Sequence, residues 1–142
     1  QEIKNKRSTI DSIQFNYKII DLKENSFKIT ASLINDRNDT VRFLSHSCSG
    51  DYIYLKYDTA SFLISHEISC NASWPVIIKI APKSKYVFSA ELVCLKINKK
   101  PELSFYFNQV SSTFNIATYK NSNEDYISNH KPENLIIGKE IY

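Results

Sequence analysis

The chain has 142 residues, a net charge of +3 and a hydrophobic content of 42%, which suits a single globular domain with a sizeable core. Its basic residues alternate with acidic ones and do not form the dense stripe typical of nucleic-acid binding, so we expect no nucleic-acid partner. No apolar run approaches the roughly 20 residues of a membrane helix, so we expect no membrane span. The tightest basic group, Lys96, Lys99 and Lys100, is interpreted as a solvated turn beside Pro101.

Aromatic residues are abundant, with nine Tyr and eight Phe, and such side chains pack well on the pleated surface of a sheet. Because the chain has only two Gly, we expect Asn, Asp and Ser to form most of its turns. The polar residues 1–9 are expected to be a flexible mature N-terminus or tether. Residues 10–142 are expected to form one domain.

Alternation of apolar and polar residues is the main structural signal, and it is clearest between Phe27 and Leu44. There, Ser26–Ile34 and Thr40–Ser45 are predicted to form a hairpin around a polar turn. The long Tyr86–Ile97 segment is expected to be central, and Asn121–Asn134 is expected to be a loop. The predicted extended segments are Ile10–Asp21, Ser26–Ile34, Thr40–Ser45, Asp51–Tyr57, Ser61–His66, Trp74–Ile80, Tyr86–Ile97, Leu103–Phe107, Thr113–Tyr119 and Leu135–Tyr142.

Strands at this spacing, without βαβ alternation, predict an all-β fold: an antiparallel β-sandwich of about 8–10 strands with little or no helix. Two stretches carry a resemblance. The stretch from Leu33 to Phe43 resembles the B-to-C hairpin of immunoglobulin-like domains in secreted bacterial proteins of the Bacteroidetes type, and Ile78 to Phe88 resembles their E-to-F corner. The resemblance implies an immunoglobulin-like sandwich and carries no activity with it.

Three cysteines are present. Cys48 and Cys70 lie in polar, loop-like surroundings and Cys94 in an apolar strand, so we predict a Cys48–Cys70 disulfide and a buried, free Cys94. Closing that loop would contribute about 3 kcal/mol. An alternative is a tetrahedral zinc site, because His46, Cys48, His66 and Cys70 supply two imidazoles and two thiols. Strand alternation would place His46 and Cys48 on the same face.

Short motifs bear on the compartment. Asp11-Ser12-Ile13, Asp39-Thr40-Val41 and Asp58-Thr59-Ala60 resemble the O-glycosylation sites of exported Bacteroidetes proteins. Asn38-Asp39-Thr40 and Asn71-Ala72-Ser73 match the N-glycan acceptor pattern. With the polar N-terminal stretch, which resembles a mature terminus after signal removal, they predict a secreted or periplasmic protein, or a surface-anchored lipoprotein.

Tyr52, Tyr54 and Trp74 are the candidate ligand-binding residues. If Ile53 and Leu55 point inward on a strand, Tyr52 and Tyr54 point outward, and exposed aromatic rings stack on sugars or anchor protein partners. The alternative is that these rings fill the sandwich core.

Catalysis would require a nucleophile beside a base and an orienting acid, and Cys48 with His46 and Asp51 is the best such set. No glycine-rich elbow accompanies it, so we expect no enzyme activity and no cofactor.

The predicted function is therefore a non-catalytic, exported, monomeric domain that recognises a protein or a glycan. One alternative is a proteinase inhibitor acting through an exposed loop, Cys48–Tyr52 or Asn71–Pro75. The other is a zinc protein or enzyme using the His/Cys cluster.

Overall fold

A computed structural model describes residues 12–22, 24–48, 50–65, 74–96, 99–118 and 130–142. Within these ranges a single helical turn, α1 (Gly50–Ile53), and two 3-10 turns, Ile116–Thr118 and Pro132–Asn134, accompany the strands. The strands are β1 (Ile13–Asp21), β2 (Ser26–Asn35), β3 (Val41–His46), β4 (Leu55–Lys56), β5 (Phe62–Ser65), β6 (Pro75–Ile80), β7 (Lys85–Cys94), β8 (Ser104–Tyr106), β9 (Leu135–Ile137) and β10 (Lys139–Glu140).

The first layer is a five-stranded sheet in the order β10-β1-β2-β7-β5. Neighbouring strands of this sheet run antiparallel, except that β10 runs parallel to β1. Alternate residues of β1 and β2 are buried, including Phe15, Tyr17, Ile29 and Leu33, because successive side chains of a strand point to opposite faces. The alternation therefore predicted these strands correctly, and β7 is an interior strand as expected.

The second layer combines the β3–β6 pair with the sheet β4-β8-β9. The segment after β8 joins them, because Phe43 of β3 forms an antiparallel bridge with Gln109. On either side, the Leu44 amide donates to the Asn108 carbonyl at 2.9 Å, and the Val110 amide donates to the Arg42 carbonyl at 3.0 Å. The second layer is thus one hydrogen-bonded unit.

Aromatic rings from both layers meet in one core. Phe105 of β8 lies with its ring centroid 5.6 Å from Phe15 and 5.7 Å from Phe88, and both partners belong to the first sheet. Phe43 of β3 approaches Tyr86 of β7 at 5.8 Å. Because buried aromatic rings contribute large apolar areas, these contacts hold the two layers together as an all-β sandwich.

The predicted hairpin between Ser26–Ile34 and Thr40–Ser45 is wrong, although both strands exist. β2 pairs with β1 and β7, whereas β3 pairs with β6 in the other layer. The turn between them therefore carries the chain across the sandwich. Alternation shows that one face of a strand is buried, but it does not identify the strand's neighbour.

The side chain of Asn35, which is buried, forms hydrogen bonds that stabilise the turn between β2 and β3. Its Nδ2 donates to the carbonyls of Asp39 at 2.8 Å, Ile80 at 3.0 Å and Ala81 at 3.1 Å. Its Oδ1 accepts the Arg37 amide at 2.9 Å. One side chain thus satisfies backbone groups of two distant segments, and we name this set of contacts the Asn35 corner.

The first true hairpin joins β1 to β2. Its turn contains Glu24 and Asn25, which both adopt the left-handed conformation, with φ of 66° and 63°. The Leu22 amide donates to the Ser26 carbonyl at 2.8 Å and closes the turn. Asn tolerates this conformation better than most residues, so the expectation that Asn would replace Gly in turns is met here.

Two predicted strands are wrong in the described region. Asp51–Tyr57 begins as α1 and becomes extended only at β4, and Thr113–Tyr119 contains the 3-10 turn Ile116–Thr118. In both segments apolar residues occupy both alternating sets, so period-two alternation was weak evidence for a strand.

The predicted Leu135–Tyr142 strand is divided at Gly138. β9 pairs with β8 in the second layer, and β10 pairs with β1 in the first. The Gly138 amide donates to the Leu103 carbonyl at 3.0 Å, and a Cβ at this position would lie 2.7 Å from Cε1 of Tyr17. Only glycine allows the chain to change layers so close to its neighbours.

Other expectations have mixed outcomes. Ser61–His66, Trp74–Ile80 and Leu103–Phe107 contain β5, β6 and β8. Residues 1–9, and most of Asn121–Asn134, lie outside the described residues. Within the described ranges, no helix has the length and apolar character needed to cross a membrane.

Candidate functional site

Trp74 is the most exposed of the three predicted ligand-binding residues. It precedes β6, and 67% of its surface is accessible. Its backbone is nevertheless held at two points, since its amide donates to Ser47 Oγ at 3.0 Å and its carbonyl accepts the Ser47 amide at 2.8 Å. The indole therefore projects into solvent from a fixed backbone.

Tyr54 is fully buried, which corrects its predicted place on an exposed aromatic platform. Its ring centroid lies 5.9 Å from that of His46 and 5.6 Å from that of His130. The prediction assumed a strand, in which residues two apart share a face. Tyr52 instead lies in the helical turn α1, in which successive residues rotate by about 100°, and Tyr54 directly follows that turn, so the two rings do not share a face.

Tyr52 lies between these extremes. It is half-buried and packs against the hydrophobic core. The three aromatic residues of the predicted platform therefore do not form one exposed surface, and Trp74 is the member that a partner can contact fully.

Asp51, the predicted orienting acid, is bonded to Tyr86 of β7. The Tyr86 hydroxyl donates to Asp51 Oδ1 at 2.9 Å. Burial raises the pKa of the Asp51 carboxyl, and the hydrogen bond from Tyr86 opposes that shift. Burial, followed by the Asp51 charge and the hydrogen bond, raises the pKa of Tyr86. This contact ties α1 to the first sheet.

The described histidines lie among aromatic rings. His46 is buried beside Tyr54, and His130 stacks on Tyr106 with ring centroids 4.7 Å apart and planes 8° from parallel. Burial lowers the pKa of His130, and a hydrogen bond with the Ile53 backbone opposes that shift. Both imidazoles therefore contribute to packing between α1 and the end of the second layer.

The cysteine predictions are partly tested. Cys94 is buried and free, as expected. Cys70 and His66 lie outside the described residues, so the Cys48–Cys70 disulfide and the alternative zinc site stay predictions. Among the residues that the structure describes, no group of three or more His, Cys, Asp or Glu side chains is arranged to hold a metal ion.

The proposed inhibitory loops have different outcomes. Cys48–Tyr52 contains the start of α1, and Gly50 is buried against Ser45. It is therefore not an extended loop in its described part. Asn71–Pro75 lies largely outside the described residues, with only Trp74 and Pro75 inside them.

Sequence reasoning missed a cleft that is lined by residues from distant parts of the chain. It has a volume of about 920 Å³ and is bordered by Lys99 and Lys100, which were interpreted as a solvated turn. Lys99 bonds to Asp58 at 2.9 Å, 41 positions earlier in the chain. No local pattern connects these two residues, so only the folded chain identifies the cleft.

No protein-family model matches the chain, and a search of curated proteins finds no match. Among the described residues, the exposed Trp74 and the cleft beside Lys99 and Lys100 each offer surface to a partner or a ligand.

Proposed function

We propose that this chain is a non-catalytic, immunoglobulin-like recognition domain of an exported protein, and that Trp74 anchors a partner protein. The observation that carries the proposal is a large aromatic side chain that is 67% exposed on a backbone fixed by Ser47. Leaving an indole in water is unfavourable, and its burial in a complex supplies binding free energy.

The fixed backbone favours a specific complex. Association costs free energy for every group that must be ordered. At Trp74 the backbone is already held, so mainly the indole itself loses freedom on binding. Trp is also enriched among the residues that dominate binding energy at protein interfaces, because its large ring fills a pocket on the partner.

The shape of the site favours a protein over a glycan. Trp74 is 67% exposed and does not border either of the clefts beside Lys99 and Lys100. A protruding ring needs a preformed pocket on its partner, and a folded protein supplies one more readily than a flexible sugar chain does.

The strand arrangement supports the immunoglobulin-like part of the proposal. β1, β2 and β7 are neighbours in one layer, while β3 lies in the other layer between β6 and the segment after β8. Consecutive strands that change layers in this way are typical of Greek-key sandwiches. The parallel β1–β10 pair and the small β4-β8-β9 sheet are local departures from a purely antiparallel arrangement.

Two of the motifs that resemble O-glycosylation sites lie at the surface, which supports export. Asp39-Thr40 and Asp58-Thr59 occupy turns, and Asp39, Asp58 and Thr59 are exposed, so a modifying enzyme could reach them.

Intact mass before and after reduction and alkylation tests whether the chain is an exported domain with a disulfide. We expect one blocked cysteine pair and one free thiol, and three free thiols would contradict a stapled, exported domain.

Site-specific photocrosslinking tests the Trp74 anchor. A benzoylphenylalanine residue at position 74, in protein produced in its native cells, is expected to form a defined covalent adduct with one partner protein. The matched control carries the same group at position 63, because Leu63 is also exposed, at 55%, on β5. The purified Trp74→Ala variant should fail to compete for the adduct, while purified wild-type protein competes.

Equal adducts at both positions, or none at position 74, would overturn the anchor. Thermal unfolding of Trp74→Ala separates loss of binding from loss of folding. Exposed substitutions usually change stability by less than about 0.5 kcal/mol, so its melting temperature should match that of the wild type.

A further inference from the structure

The cleft beside Lys99 and Lys100 lies where the two layers are joined by β9, Gly138 and β10. Its volume is about 920 Å³, and a second cleft of about 600 Å³ adjoins it, with Lys99 and Lys100 bordering both. The larger volume is in the upper part of the range for small-ligand sites, which is about 300–1,000 Å³. The cleft is therefore large enough for a ligand of several linked rings.

Charged groups of both signs border the larger cleft in equal numbers. Lys99 Nζ lies 2.9 Å from Asp58 Oδ2, and Lys100 Nζ lies 2.6 Å from Glu140 Oε2. Lys56 and Glu102 also border the cleft. Three ammonium groups thus oppose three carboxylates, so the larger cleft carries no net charge and offers no advantage to a strongly charged ligand.

The paired charges have the hydrogen-bonding capacity that hydroxyl groups require. An ammonium group only donates hydrogen bonds, an ionised carboxylate only accepts them, and a hydroxyl does both. A hydroxyl placed beside the Lys99–Asp58 or Lys100–Glu140 pair can therefore accept from one partner and donate to the other. Hydrogen bonds to charged groups are stronger than those between neutral groups.

Apolar surface lies next to these charges. Ile137 of β9 borders the cleft with 73% of its surface exposed, and half-buried Tyr57 presents an aromatic ring to the same space. This exposed aliphatic side chain suits a ligand with C–H faces between its hydroxyl groups, which is the chemistry of a pyranose ring.

We propose that this cleft binds an uncharged oligosaccharide. Its hydroxyl groups would bond to the Lys99–Asp58 and Lys100–Glu140 pairs, and its C–H faces would pack on Ile137 and Tyr57. The site is separate from Trp74, and the inference goes beyond the protein-anchoring function and does not depend on it.

NMR titration of the whole ¹⁵N-labelled chain tests this inference. The neutral probes are the hexasaccharides of maltose-, cellulose-, xylan- and mannan-type linkage, and the charged probe is a hexamer of galacturonic acid. At least one neutral probe, at up to about 10 mM, is expected to shift the amides of Tyr57 and Ile137, since weak sugar binding falls in the millimolar range. Its affinity should be nearly unchanged between about 0.05 and 0.5 M salt, because no net charge is neutralised.

Two exposed positions provide matched variants. Ile137→Glu places a charge in the cleft at an exposed position and is expected to weaken binding at least about tenfold. Leu63→Glu makes the same change on β5, outside the cleft, and should bind like the wild type. Both variants change exposed side chains, so both should remain folded.

Three results would overturn the inference: no neutral probe shifts the cleft amides, only the galacturonic acid hexamer does so, or Ile137→Glu binds as well as the wild type. Trp74→Ala should bind the sugar normally. Failure of the Trp74 anchor and failure of the sugar site are therefore distinguishable.

Discussion

Tyr54 and Trp74 show how much the environment of a side chain decides the effect of removing it. Tyr54 is fully buried between two histidine rings, whereas Trp74 has most of its surface in water. We expect Tyr54→Ala to lower the free energy of unfolding by about 3–5 kcal/mol, because truncation leaves a cavity in the core. Urea denaturation measures the difference, with Trp74→Ala as the control. A Tyr54→Ala midpoint equal to that of the wild type would contradict the buried position.

Asp51 makes stability depend on pH in a predictable direction. Its pKa is raised by burial, so the folded protein holds this proton more tightly than the unfolded chain does. The group therefore contributes stability at acid pH, below its unfolded pKa, and that contribution is lost as pH rises through the raised folded pKa. Compared with a variant that has an uncharged side chain at position 51, the wild type is therefore relatively more stable at low pH and relatively less stable at neutral pH.

The substitution Asp51→Asn tests this direction, since Asn keeps an oxygen that accepts the Tyr86 hydroxyl. We expect the variant to be at least as stable as the wild type at neutral pH and to lose that advantage as the pH falls towards about 4. Urea denaturation across this range measures the difference. Asp21→Asn, which removes an exposed carboxylate at the end of β1, is the control. A difference that grows in favour of the variant on acidification would contradict the burial argument.

At the scale of elements, the Asn35 corner joins β2 to the turn after β6. Asn35→Ala removes the donor for three carbonyls and the acceptor for the Arg37 amide. We expect a loss of about 2–4 kcal/mol, because buried polar groups left without partners keep the cost of desolvation. Asn38→Ala, an exposed position in the same turn, should change the denaturation midpoint little. Equal midpoints for the two variants would show that the corner is not held by Asn35.

Which elements could be predicted depended on how regularly one face is buried. β1, β2 and β7 alternate cleanly, and their existence and type were predicted correctly. The pairing of β2 with β3 was predicted wrongly, because the contact that directs the turn, Asn35 with Ile80 and Ala81, joins residues 45 and 46 positions apart. Local patterns contain no information about such a contact.

Across the whole molecule, the sequence indicated the fold class but not the sites. Aromatic residues that alternate along the strands, such as Phe15, Phe43 and Phe105, indicated two faces that must pack on each other, and the rings do meet in the core. The cleft could not be predicted, since it brings Asp58 to Lys99 and Glu140 to Lys100 only after both layers have formed. Trp74 was recognised as a candidate because of its aromatic side chain, but its exposure, in contrast to the burial of Tyr54, became evident only in the folded chain.

The Asn35 corner also has a consequence for the speed at which the molecule opens. Its contacts to Ile80 and Ala81 close a long stretch of chain. Such contacts tend to form late in folding, because the chain loses the entropy of loop closure before it gains the contact. Asn35→Ala should therefore accelerate unfolding while leaving the rate of refolding nearly unchanged. Stopped-flow measurements in urea separate the two rates, and a loss that appears mainly as slower refolding would place the corner in the folding nucleus instead. If the rates behave as expected, the Asn35 side chain lengthens the lifetime of the native state by slowing its unfolding.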